Sequence, residues 1–362
     1  MKTADPELMR AINRFHVMDA IRQQGPISRV EISARTELSP ATVSAITAAL
    51  LDDSLILATP MPANGETTRG RPRVMLELNP EAAHVVGVKL TSRSISVAVT
   101  DFVSRPLATL DMPVRTERQT LDVIADIVED GIRHCVADAS LTMQAIHGIC
   151  VGVPGVVEAA AGVCKRGPIF GDEPTPLGKA LEARLAIPVK LESDASLVTL
   201  AELWFGHGRG HSHFMVVSIE ATIGIGIMHQ EVLHRGAHGM SPDCAWLDGL
   251  PSDALGAAIA QLASLLAPPL IILSGQGLEA GERLTTPLLA SFEKHLSPAL
   301  HGLIDIVFHR WPDEAWARGA AALVLRDLYG SPWNTTGPSR APRQEPKPIA
   351  KSITKHSREE AA

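Results

Sequence analysis

Gly148-Ile149-Cys150-Val151-Gly152-Val153-Pro154-Gly155 and, further on, Pro188-Val189-Lys190-Leu191-Glu192-Ser193-Asp194-Ala195 decide the fold. The first belongs to an apolar run from Ile146 that stops at Pro-Gly, the pattern of a buried strand. The second is a short strand, Val189–Glu192, feeding a helix from about Asp194 to Phe205. Leu177–Leu185 between them has helical spacing. Strand alternates with helix, which indicates α/β architecture.

Upstream, His84–Leu90, Ser94–Asp101 and Leu107–Val114 read as a strand meander, and Thr120–Ala139 as a helix. Downstream, Phe214–Ile219, Ile223–Met228, Leu270–Leu273 and Leu303–Val307 read as strands with helices between them, and a last helix runs to Tyr329. This places one two-lobed domain at 81–330, with lobes of about 81–192 and 193–330. The tail, 331–362, holds five Pro, six Lys/Arg and three Asp/Glu. It has too few apolar residues to bury a core and is expected to be disordered.

Residues 1–80 follow another pattern. Met9–Gln24 reads as an amphipathic helix ended by Gly25-Pro26. Ser28-Arg29-Val30-Glu31 has the form of a capping box and starts a short helix. After a turn at Thr36–Leu38, Ser39-Pro40 supplies an N-cap and a first-turn proline for a third helix to about Asp53. Val43, Ile46 and Leu50 share its apolar face. This is the helix-turn-helix pattern. Leu55–Leu57 and Val74–Leu78 read as two strands around a loop ending Arg69-Gly70-Arg71-Pro72-Arg73, as in a DNA-binding wing. Ser39, Ala41, Thr42, Ser44 and Thr47 are the expected contacts in the major groove, and Arg69, Arg71 and Arg73 those on backbone or minor groove. Nine basic and nine acidic residues balance in this segment, so a protein-docking module and a solvated arginine loop stay open as alternatives.

A net charge of −7 excludes a global basic field, so any DNA contact is local. The four cysteines lack metal or redox spacing and read as free thiols of a reducing compartment. With no apolar signal region and no membrane-spanning run, a cytoplasmic protein is expected.

Ile27–Ser33, Leu38–Ser44 and Gly70-Arg71-Pro72 together resemble the N-terminal domain of ROK-family repressors (repressors, open reading frames and kinases). Gly148–Val157, Pro188–Ala195, Ala201–Gly206, Ile223-Gly224-Ile225-Gly226-Ile227, Gly236–Gly239 and Ile271–Gly275 resemble, in order, blocks of the family's sugar-kinase domain. The resemblance implies a winged helix-turn-helix followed by an actin-like, ribonuclease H-like domain of two lobes. It implies a regulator, read here as a repressor of carbohydrate genes, that binds operator DNA and a sugar or sugar derivative and assembles with copies of itself. Pro154, Gly155, Ser193, Asp194, Glu202 and Asp243 are the implied ligand-binding residues.

The departures from the family matter as much. Lys89 stands where its kinases carry the acidic residue of the first strand turn, and a lysine cannot coordinate Mg²⁺. Asp194 matches the aspartate that accepts the sugar hydroxyl proton, although it also suits a helix N-cap. Met240–Trp246 replaces the segment that binds sugar and zinc: Asp243 stands in for a glutamate and Trp246 falls at a histidine, where it suits a sugar-stacking ring or a core filler. One Cys with scattered His cannot build a four-ligand zinc site, so no metal or cofactor is expected. Asp194 is then a relict base in a sensor without catalysis. The alternative is an ATP-dependent sugar kinase carrying a DNA-binding domain.

Overall fold

The computed structural model describes residues 6–60, 74–117, 119–311 and 313–330. The N-terminal unit has helices α1 (Pro6–Gln24), α2 (Arg29–Thr36) and α3 (Pro40–Asp52), with strands β1 (Ile27–Ser28), β2 (Ile56–Pro60) and β3 (Val74–Leu78). β3 lies between β1 and β2, antiparallel to both, with Leu76 opposite Ile27 and Ala58. The local signals act as read. Ser28 N–H donates to Glu31 Oε2 (2.9 Å) while Glu31 N–H donates to Ser28 Oγ (3.3 Å). Glu37 turns left-handed (φ 56°) and stops α2. Ser39 Oγ accepts from Thr42 N–H at 3.2 Å, with Pro40 in the first turn. Arg69, Arg71 and Arg73 lie outside the described residues, as do 331–362.

The first lobe is a five-stranded sheet. Its strands are β4 (His84–Leu90), β5 (Ser94–Thr100), β6 (Pro106–Pro113), β7 (Ile146–Val153) and, beyond the hairpin β8 (Val156–Glu158) and β9 (Val163–Arg166), β10 (Val189–Ser193), in the order β10-β7-β4-β5-β6. α4 (Leu121–Asp138) and α5 (Leu177–Leu185) cover one face. The second lobe repeats the plan as β13-β12-β11-β14-β15: β11 (His213–Ile219), β12 (Ile223–His229), β13 (Val232–Leu233), β14 (Leu270–Ser274) and β15 (Asp305–His309). One face carries α7 (Ser252–Leu266) and α8 (Glu282–His295). Central strands such as β4 and β14 are buried along almost their whole length, which is why they read as unbroken apolar runs.

Two helices fill the space between the sheets: α6 (Asp194–Phe205) and α9 (Asp313–Leu328). α6 is covered on almost all sides, so that its polar Ser196, Thr199 and Glu202 are buried along with its apolar residues. α9 corrects the sequence-based lobes. It does not stay with the second lobe but crosses back to the first sheet, so 313–330 joins the first lobe. Gly87 on β4 allows this: a Cβ there would lie 1.9 Å from the Ala317 carbonyl oxygen.

The N-terminal unit is not merely tethered through Leu78–Ala83. One buried cluster runs from Phe15, Met18 and Ile21 on α1, through Trp204 and Tyr329, to Val216 and Ile272 in the second sheet. The Arg22 guanidinium lies 4.3 Å from the Trp204 ring centre. Trp204 stacks on Tyr329 at 5.7 Å with the planes 3° apart, and Tyr329 meets Phe102 edge-on at 4.8 Å. The buried Tyr329 hydroxyl donates to the Phe102 carbonyl oxygen at 2.6 Å, which meets the one polar group of that ring. Trp204→Ala is expected to cost about 3–5 kcal/mol in urea unfolding, with Trp204→Phe recovering most of it. An unchanged midpoint in the alanine variant would show that the stack does not hold the units together.

Candidate functional site

A cavity of about 330 Å³ opens between the two lobes. Its first-lobe wall is the turn after β7 and the end of β9, with Gly155 and Arg166; its second-lobe wall is β12 and the segment 242–248. The start of α6 forms its floor, with Ser193, Asp194 and Ala195. Glycines set the spacing. Gly155 has φ +117°, and a Cβ there would lie 2.1 Å from the Arg166 carbonyl oxygen. The glycines of Ile223–Ile227 are the places where β12 touches α6: a Cβ on Gly224 would meet Ala195 Cβ at 2.7 Å, and one on Gly226 would meet Thr199 Oγ1 at 1.8 Å. Larger residues would push Asp194 out of the cleft.

Ser193, not Asp194, is the N-cap. Its Oγ accepts from Ser196 N–H at 3.3 Å and donates to Ser196 Oγ at 2.8 Å. Asp194 is thereby released from the capping role and lines the cavity, with its Oδ1 accepting from Ala195 N–H at 2.7 Å. Burial pushes its carboxyl up from 3.8 to about 7. The Ala195 hydrogen bond opposes this, Glu220 adds to it through like charge, and Lys89 pulls it back. Lys89 (5% exposed) reaches across the cleft from β4, with its Nζ 3.9 Å from Glu220 Oε1 on the β11–β12 turn. An ion pair between the lobes thus stands beside the carboxyl.

Of the ligand-binding residues expected from sequence, Gly155, Ser193, Asp194 and Asp243 line the cavity. Pro154 is buried just behind it. Glu202 is a correction. It sits eight residues along α6 from Asp194, about 12 Å at 1.5 Å per residue. It is wholly buried, bound by Trp311 Nε1 (2.6 Å), His309 Nδ1 (2.7 Å) and His207 N–H (2.8 Å), and braces the far end of the helix. Trp246 is 56% exposed and neither lines the cavity nor fills the core. Asp243 does not point alone into the cleft, because its Oδ1 holds Arg166 Nη2 at 2.5 Å. Arg166 and Asp248 were missed; only a basic residue before the Gly167-Pro168 turn hinted at the first. Among the described residues no three His, Cys, Asp or Glu side chains converge as a metal site, and all four cysteines are free and buried.

On the helix-turn-helix, Ser39, Ala41 and Ser44 are exposed and Thr42 is half-buried. Thr47 is the second correction: it is wholly buried and accepts from Arg29 Nε at 2.9 Å, so it cannot face bases. Ala45 and Ala48 are exposed on the same helix, which leaves a smooth outer face of small residues.

Residues 85–245 match the ROK family and residues 12–65 the MarR family. A region similar to the ROK family thus follows a helix-turn-helix region similar to the MarR family. Over 64–65% of its length it is 28% identical to the DNA-binding transcriptional repressor Mlc of Escherichia coli, 27% to the xylose repressor of Caldicellulosiruptor bescii and 27% to the dual regulator NagC of E. coli. It spans only 56–58% of those relatives' own lengths. A ROK-family regulator, a homologue of the E. coli Mlc protein, shares the fold over 90% of this chain and 98% of its own, with a TM-score of 0.70 and 22% identity. A glucokinase from Streptomyces griseus matches 67% of this chain and 99% of its own, at TM-score 0.55 and 20% identity.

The carboxyl of Asp194 gives a signed pH dependence. Its folded pKa of about 7 lies above the ordinary 3.8, so between these values the folded chain holds a proton that the unfolded chain has lost. That contribution is present at low pH and disappears as pH rises through about 7. Relative to wild type, Asp194→Asn should gain urea resistance from pH 5 upward and level off above about 7. A constant difference across that range would mean that the carboxyl is not buried as described.

Proposed function

We propose that this protein is a DNA-binding transcription regulator, a repressor of carbohydrate-metabolism genes, whose ROK domain senses a sugar or sugar derivative in the interlobe cavity. One observation carries the reading. The N-terminus of α6 lines the cavity at Asp194, and ten residues later, about 15 Å along the axis, Trp204 lies under Arg22 of the DNA-binding unit. A ligand that moves α6 moves the winged helix-turn-helix. The names of the relatives, a xylose repressor, Mlc and NagC, support the same reading.

Ser39, Ala41, Thr42 and Ser44 are the proposed base-facing residues, with Arg29 bracing their helix through Thr47. Arg69, Arg71 and Arg73 are the proposed wing contacts. Two copies of the chain, or a higher even assembly, would place two such heads on a palindromic operator. Among the described residues no helix is long and apolar enough to cross a membrane, in keeping with a role at cytoplasmic DNA.

Phosphoryl transfer is the second reading. A carboxyl with pKa about 7 suits a general base, and this favours it. Against it stands Lys89, held by Glu220 where the family's kinases place an acid. In a coupled assay with ATP and hexoses we expect no turnover; turnover abolished by Asp194→Asn would establish the kinase instead.

Operator fragments selected from random DNA supply the main test. Glucose, xylose or N-acetylglucosamine should change operator affinity 5–150-fold, about 1–3 kcal/mol, and operator should change affinity for that sugar by the same factor. Arg71→Ala should weaken DNA binding and reduce its salt slope by about one. No selected DNA, or equal sugar affinity with and without it, would refute the regulator reading.

A further inference from the structure

The charges around the cavity bear on which sugars it takes, given the sensing role proposed above. Among its described lining residues Arg166 is the one basic side chain, and its Nη2 is held by Asp243 Oδ1 at 2.5 Å. Asp172, Asp194 and Asp248 also line the space. Asp248 is fixed there, since its Oδ1 accepts from Ile223 N–H at 2.6 Å. A guanidinium is the side chain best shaped to take a phosphate by two parallel hydrogen bonds. Here one arm of that fork, Nη2, is already held by a carboxylate, and the remaining lining charges are acidic. A sugar phosphate, carrying between one and two negative charges near pH 7, would have to displace Asp243 and then sit among carboxylates. An uncharged sugar meets no such penalty and finds several acceptors for its hydroxyls.

We propose that Asp243 is the specificity-determining residue of the cavity: by occupying Arg166 it selects unphosphorylated sugars and rejects their phosphate esters. The pair is open to solvent, with the Arg166 side chain 40% and the Asp243 side chain 55% exposed. A pair this exposed contributes little to stability, so its geometry is available for selection. Asp243 Oδ1 also accepts from Ala245 N–H at 3.3 Å, which anchors the loop. Asparagine keeps that acceptor and removes the charge, so Asp243→Asn separates the two roles.

The test is calorimetric titration of the full chain with matched pairs: glucose and glucose 6-phosphate, glucosamine and its 6-phosphate, N-acetylglucosamine and its 6-phosphate. For any pair that binds, wild type should prefer the free sugar by at least about tenfold, a like-charge penalty of ordinary size. Asp243→Asn should tighten the phosphate about fivefold or more, since freeing a guanidinium aids only the anion. Adding Arg166→Ala to Asp243→Asn should abolish that gain, and thermal unfolding of each variant confirms that it is folded. A wild type that binds a phosphate ester as tightly as its parent sugar overturns the proposal, as does an Asp243→Asn variant with no phosphate gain; sugar sensing survives both outcomes. Binding of neither class is a different result, which removes sugar sensing itself and the role of Asp243 with it.

Discussion

The aromatic stack of Trp204 on Tyr329, capped by Arg22, is the contact on which the rest of the molecule depends. It brings together three parts of the chain that lie far apart in sequence. Trp204 comes from α6, Tyr329 follows α9, and Arg22 belongs to α1 of the N-terminal head. Offset ring stacking adds about 0.5–1.5 kcal/mol beyond the apolar area it buries, and a guanidinium over an indole adds a comparable amount. The larger effect is geometric. A head held by a linker alone would average over many orientations, whereas this one shares a core with both sheets. Any movement of α6 would reach the head through Trp204 and Arg22.

The cavity end of α6 is arranged with equal economy. Ser193 takes the cap, which frees Asp194 for the cleft, and two glycines of β12 let the strand come close enough to hold it there. The chemistry of the site is then decided by its charged neighbours. Lys89 and Glu220 bridge the lobes next to Asp194, and Arg166 and Asp243 face each other at the edge of the same space. Both pairs join residues far apart in sequence. Both satisfy a cation that would otherwise attract phosphate. A binding pocket can keep such pairs, because selectivity needs only differences in affinity; a phosphoryl-transfer site would have to break them.

What was legible in the sequence was local. The capping box at Ser28 and Glu31 and the Ser39-Pro40 start each need only a few consecutive residues, and both form as read. Buried strands of both sheets were visible as apolar runs, and the order of glycine-rich blocks pointed to the two-lobed fold. What failed depended on partners elsewhere in the chain. Thr47 looks like its exposed neighbours until Arg29, eighteen residues away, takes its hydroxyl. Glu202 lies in a block that resembles a sugar site, yet its carboxylate is consumed by Trp311 and His309. Nothing in the periodicity of α9 says that it leaves the second lobe, because its destination is marked by a missing side chain at Gly87.

That crossing has a consequence for how the protein is made. The hydrogen bond from Tyr329 to Phe102 spans 227 residues, so the surface that seats the head is assembled from the middle and the far end of the described chain. During synthesis the head precedes its seat, which does not exist until α9 has been translated and has folded back. Contacts of such long sequence separation form slowly, since the loop must close before it is rewarded. A nascent chain, or one truncated before α9, therefore presents its N-terminal head unseated, and the head is joined to the cavity only when the last helix docks.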